Sequence, residues 1–150
     1  MSTSIRRWVE TDTGHRVPNH SSKCRHIHGH RYRWEAEIEG EVIDIEGVSD
    51  QGMLIDFSVI SSILNKYIHD IVDHAFLVYS GDAVMLDSLQ SLGDEHRTVV
   101  LPFIPTAENL AKWAFEQVSP HISTEYGNQI RLVAMHVRET PKSWASWRVD

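Results

Sequence analysis

Residues 23–40 read KCRHIHGHRYRWEAEIEG. From residue 28 the stretch alternates: Tyr32, Trp34, Ala36 and Ile38 hold even positions, while Arg31, Arg33, Glu35, Glu37 and Glu39 hold odd ones. A period of two marks a half-buried strand, so a strand is predicted over 28–39 with its even face in the core. Side chains at i and i+2 project to one face, which puts His28 and His30 on that same side. Two bare imidazoles on a buried face cost free energy unless both find partners, and a metal ion partners both. Zinc accepts imidazole nitrogen, and a catalytic zinc has three protein ligands and an open fourth position. His-Gly-His alone is a weak signal, because Gly29 can serve a close backbone approach instead. For the third ligand, His15 is the geometric candidate if residues 5–13 form a strand antiparallel to 28–39; His20 and His26 compete with it. Cys24 is either a fourth ligand that closes the site or a catalytic thiol beside an open metal.

Outward from this strand, the pattern is strands, then helices, then strands. GEVIDIEGVSDQG (40–52) is a connection, and MLID (53–56) reads as a short returning strand. Asp56 suits the N-cap of a helix over 57–71, whose apolar stripe is Phe57, Ile60, Ile63, Leu64, Tyr67, Ile68 and Ile71. A short helix follows over 83–92, with Gly93 beyond its end. Thr106 suits the N-cap of a second main helix, with Leu110, Trp113, Ala114 and Val118 facing inward and Pro120 ending it. Residues 129–139 read as a strand with apolar residues on both faces, and WASWRV (144–149) as a tail strand. The order predicts a single α+β domain over residues 1–150, with helices on one face of an antiparallel sheet. A strand apolar on both faces needs cover on both, which predicts a neighbouring subunit.

Composition narrows the class. The chain of 150 residues is 41% hydrophobic and 23% charged, ordinary for a globular domain. Its one cysteine excludes an internal disulfide framework and favours a reducing compartment. The N-terminus lacks a signal-peptide core, and no apolar run nears the roughly 18 residues that span a bilayer. A cytoplasmic protein without a membrane partner is expected. Residues 1–33 carry seven basic side chains and two acids, although the whole chain has a net charge of −7. That local field suits a small anionic ligand; a nucleic acid is not expected, because the rest of the chain would repel it.

Two further features carry possible chemistry. VDHAF (72–76) pairs Asp73 with His74, a juxtaposition common by chance that can also serve a thiol as a base. Glu139 ends the largely apolar strand. It is either an exposed strand end or an anchor able to pair two-pronged with an amidine-like pair of N–H groups.

Six stretches in order, GHRV (14–17), KCRHIHGHRY (23–32), GMLIDF (52–57), VDHAF (72–76), PTAENLAKW (105–113) and VRET (137–140), resemble the 6-pyruvoyl-tetrahydropterin synthase and 6-carboxytetrahydropterin synthase family. The resemblance covers roughly residues 9–147. It implies the tunnelling fold, a four-stranded antiparallel sheet with two main helices on one face, whose subunits join into a β-barrel, usually a homohexamer of two trimers. It implies that His15, His28 and His30 bind Zn2+, that Cys24 is the catalytic cysteine with Asp73 and His74 as its proton-transfer partners, and that Glu139 holds the pterin ring. Thr106 falls in the loop lining that pocket. The implied substrate is 7,8-dihydroneopterin triphosphate, with no redox cofactor. Three residues separate Cys24 from His28, a spacing similar to the bacterial carboxy synthases of the queuosine (7-deazaguanine) pathway. The expected reaction is therefore a zinc-dependent lyase step giving 6-carboxy-5,6,7,8-tetrahydropterin, acetaldehyde and triphosphate. A 6-pyruvoyl-tetrahydropterin synthase is the nearest alternative, and a non-catalytic zinc-stabilised oligomerisation module a distant one. Arg31 stands where the family usually has a small polar residue, and its odd parity points it away from the histidine face.

Overall fold

The alternating stretch becomes the second strand of a six-stranded sheet. The computed structural model describes residues 2–126 and 129–150. Strand β1 (Thr3–His15) pairs antiparallel with β2 (His28–Gly40) in one unbroken register, from Thr3 opposite Gly40 to His15 opposite His28. On the other side of β2 runs β5 (Ile130–Thr140), and beyond it β6 (Ser143–Arg148), both antiparallel to their neighbours. These four strands are the antiparallel sheet expected. The sheet is nevertheless mixed, because β3 (Phe76–Tyr79) pairs parallel with β1, and β4 (Thr98–Leu101) parallel with β3, giving the order β4-β3-β1-β2-β5-β6. FLVY and TVVL are four-residue runs without alternation, too short for periodicity to separate from other apolar segments.

Asp56 caps its helix as expected, its carboxylate accepting from Ser58 N at 2.7 Å. Helix α1 (Phe57–Leu64) continues through a π-helical segment (Asn65–His69) into a last turn, α2 (Asp70–Val72). Ile60, Ile63, Leu64, Ile68 and Val72 are buried, whereas Phe57, counted in the stripe, is exposed. Residues 53–56 form no strand: Leu54 and Ile55 are buried, but the backbone is already bending toward the Asp56 cap. Helix α3 (Ala83–Gln90) is capped by Asp82.

Helix α4 (Ala107–Tyr126) does not stop at Pro120. An interior proline costs about 3 kcal/mol. Here Leu110, Ala111, Ala114, Val118 and Ile122 are all fully buried, so the packed stripe runs past the proline and tertiary contacts override local propensity.

The reading of two apolar faces on residues 129–139 also changes. Ile38 pairs with Leu132 and Glu37 with Ala134, leaving Val133 as an inserted residue in a β-bulge. The bulge shifts parity by one. Ile130 and Leu132 before it, and Met135 and Val137 after it, all join the same core against α1 and α4. The apolar pattern of this strand is thus met within the chain and does not by itself call for a second subunit.

Candidate functional site

The β1–β2 register and strand parity set three histidines at one end of the sheet, on its helix-covered face. The ligand atoms of His15, His28 and His30 all lie within 4.8 Å of one another. Nδ1 of His15 is 2.7 Å from the Pro105 carbonyl, and Nδ1 of His28 is 2.7 Å from the His26 carbonyl. A carbonyl oxygen only accepts, so each Nδ1 carries the ring proton and each Nε2 presents a bare lone pair. Those two Nε2 atoms face each other at 3.0 Å. Burial pushes His15 down to about 4 against the Pro105 hydrogen bond, with the charges of His28 and His30 adding to the push, and it also lowers His30. Burial thus favours the uncharged ring at His15 and His30, and the uncharged imidazole is the form that binds a metal. The donor set fits zinc with a fourth position open. His20 and His26, which competed for the third ligand on sequence, stay outside the cluster: His20 Nδ1 accepts from Ser22 N, and His26 contributes only its carbonyl.

Cys24 sits half-buried in a 3-10 turn (Lys23–Arg25), its carbonyl held by Val17 N at 2.8 Å, and is not part of the ligand cluster. Glu139 does reach the cluster, with Oε1 3.9 Å from His15 Nε2. Burial, with the nearby charge of Glu108, raises its carboxyl above the usual range. Thr106 accepts from Asn109 N at the start of α4, next to the Pro105 carbonyl that orients His15. Sequence reading missed Tyr32, counted there only as core. It is fully buried, and its hydroxyl lies 3.2 Å from His15 Nδ1 while donating to Glu139 Oε1 at 3.4 Å. The signal was present, since a buried phenol needs a polar partner.

Asp73 and His74 form the pair expected, with His74 Nδ1 2.9 Å from Asp73 Oδ2. Asp12 locks it in place: its N–H donates to Asp73 Oδ1 at 3.0 Å, and its carbonyl accepts from His74 N at 2.7 Å. Burial raises the Asp73 carboxyl, but the hydrogen bonds from His74 and Asp12 N outweigh it and hold the group below its ordinary value. The His74 backbone is left-handed (φ 56°), and its ring is 76% exposed. No hydrogen bond among the described residues joins Cys24 to Asp73 or His74. His74 lines a cavity of about 540 Å³ with Asp12, His30, Arg31 and His96; Glu139 lines another of about 550 Å³ on which His30 and Arg31 also border.

Residues 4–150 match the family model described as 6-pyruvoyl tetrahydropterin synthase. The chain is 31% identical over 143 residues to the 6-carboxy-5,6,7,8-tetrahydropterin synthase of Haemophilus influenzae, covering 91% of this chain and 92% of that one. It is 33% identical over 151 residues to the putative enzyme of the same name from Pyrococcus abyssi, covering 95% and 90%. Among solved structures, an uncharacterised protein of Wolinella succinogenes superposes with a TM-score of 0.80 at 20% identity, over 100% of this chain and 99% of that chain. The 6-pyruvoyl tetrahydropterin synthase of Caenorhabditis elegans gives 0.65 at 22% identity, over 100% and 97%. With its histidine cluster, its α+β sheet and a match from residue 4 to residue 150, the chain belongs to the 6-pyruvoyl tetrahydropterin synthase family.

Proposed function

We propose that this chain is a zinc-dependent lyase that converts 7,8-dihydroneopterin triphosphate into 6-carboxy-5,6,7,8-tetrahydropterin, with release of acetaldehyde and triphosphate, in the queuosine (7-deazaguanine) pathway. The observation that carries the metal-dependent reading is the pair of bare Nε2 atoms facing at 3.0 Å beside His30. The carboxy product is supported by the names of the relatives at 31% and 33% identity, together with the Cys-x-x-x-His-Gly-His spacing.

Zinc held by His15, His28 and His30 would supply Lewis-acid polarisation of the substrate's side-chain oxygens. The protein's own groups do the rest. Glu139, half-buried beside the cluster, accepts the paired N–H groups of the pterin ring and fixes its orientation, with Tyr32 bracing the carboxylate. We assign Thr106, at the start of α4 beside the Pro105 carbonyl that orients His15, to the same pocket. Cys24 takes and returns a proton at the substrate side chain. Asp73 holds the His74 ring through Nδ1, leaving Nε2 to exchange that proton with the thiol. We place the closing of this relay at a subunit boundary, in a homohexamer of two trimers whose sheets join edge to edge. The outermost strand β6 supports such joining, since Trp144 and Trp147 on it are exposed. We place the enzyme in the cytoplasm; no helix among the described residues is long and apolar enough to cross a membrane. Mass spectrometry of products formed from the triphosphate substrate by zinc-loaded protein tests the reaction, and a 6-pyruvoyl product would replace the carboxy reading with the pyruvoyl one.

A further inference from the structure

On the face of the sheet away from the helices, Arg33 of β2 stands directly opposite Arg138 of β5. Cross-strand partners project to the same side, and like charges directly opposite are destabilising. Arg31, two residues before Arg33, adds a third guanidinium to the same face. The three border the cavity of about 550 Å³ that also reaches His30 and Glu139, so the charge converges at the edge of the candidate active site.

The three arginines are neutralised unequally. Asp12 pairs with Arg31 through two contacts, at 2.9 and 3.1 Å. Glu10 approaches Arg33 at 3.4 Å, and the Arg33 guanidinium also lies 4.2 Å above the Trp8 ring. Arg138 has no carboxylate partner among the described residues. Its Nε and Nη2 donate to the Thr140 and Pro141 carbonyls at 3.1 and 2.8 Å. Those neutral acceptors fix the guanidinium in place and leave its charge uncompensated. A held, unneutralised arginine opposite another arginine is a preformed oxyanion site, because guanidinium groups bind phosphate oxygens two at a time.

We infer that Arg33 and Arg138, with Arg31 beside them, form the subsite for the triphosphate end of the substrate. The inference rests on the proposed reaction for the identity of the anion and on the arginine pair for the site itself. It also gives Arg31 a use: the side chain points away from the metal and toward the phosphates.

The test is calorimetric titration of the purified protein with inorganic tripolyphosphate, in zinc-loaded and chelator-treated forms. Wild type should bind in both forms, and more tightly than it binds inorganic phosphate. Arg138→Gln and Arg33→Gln should each weaken binding by about tenfold or more, the worth of one lost charged hydrogen-bond pair. Arg131→Gln, on the same strand but outside the cavity, should bind as wild type does. Two substitutions guard against a disturbed β5–β6 turn in the Arg138 variant. Unchanged binding in both arginine variants would overturn the subsite, as would binding that disappears with the metal and not with the arginines. The readout needs no turnover, so the two proposals fail separately. Arginine-dependent tripolyphosphate binding without any pterin product would remove the reaction and keep the subsite. Product formation with an unchanged KM in both variants would keep the reaction and remove the subsite.

Discussion

Nε2 of His15 and Nε2 of His28 face each other at 3.0 Å, each ring having committed its Nδ1 proton to a backbone carbonyl. Two lone pairs at that separation repel until a cation sits near both. His28→Ala should therefore purify with strongly reduced zinc, measured by metal analysis, and the wild-type protein should lose thermal stability on chelation, because a metal bound only by the folded state stabilises it. Full zinc occupancy in His28→Ala would contradict the ligand assignment.

Tyr32 bridges the metal ligand and the carboxylate proposed to hold the ring. Tyr32→Phe keeps the aromatic packing on His15, His30 and Trp34 and removes only the hydroxyl. We expect retained zinc, a stability loss of about 1 kcal/mol, and a KM for the pterin raised more than kcat is lowered. Steady-state kinetics with the variant's melting curve checks this; an unchanged KM would deny Tyr32 its bracing part.

Arg16, next to His15, makes a two-pronged pair with buried Asp82 at 2.6 Å on both contacts. The Arg16 hydrogen bonds hold the Asp82 carboxyl below its ordinary value. A depressed carboxylate contributes stability that is fully present above the unfolded-state value near 3.9 and lost as pH falls through the lower folded one. Asp82→Ala should cost about 2–3 kcal/mol at pH 7, since it also removes the α3 cap. The difference in denaturation midpoint between wild type and variant should shrink below about pH 4. A constant difference down to pH 2 would show that the charge is not what Asp82 contributes.

Cys24 and the Asp73–His74 pair are proposed to act as one unit. Cys24→Ala and His74→Ala should each keep zinc and assembly state but lose most turnover, and the double variant should be little worse than either. If the two losses multiply, the residues act independently. Loss of zinc in Cys24→Ala would make the cysteine a ligand.

Much of the site was legible because one strand pair is regular. The alternation from Tyr32 to Ile38 gave the face of β2, and thirteen residues of unshifted register against β1 carried that parity to His15, His28 and His30. What was lost came from irregularity. The single inserted Val133 leaves an unbroken apolar run in the sequence, so a bulge reads as two apolar faces. Pro120 is a strong local stop signal, and only the packing of Ile122 shows that it is overridden. The backbone carbonyls of His26 and Pro105, which orient two ligands, leave no trace in side-chain identity. Nor could the sequence show that Arg33 and Arg138, far apart in the chain, would meet across β2 and β5.

A metal-dependent carboxy synthase is recognised most directly by its product. Zinc-loaded protein incubated with 7,8-dihydroneopterin triphosphate, then analysed by mass spectrometry, should yield 6-carboxy-5,6,7,8-tetrahydropterin and an equimolar amount of acetaldehyde, both absent after chelation and restored by zinc. Unaltered substrate in the presence of bound zinc, or equal product from the metal-free protein, would contradict it.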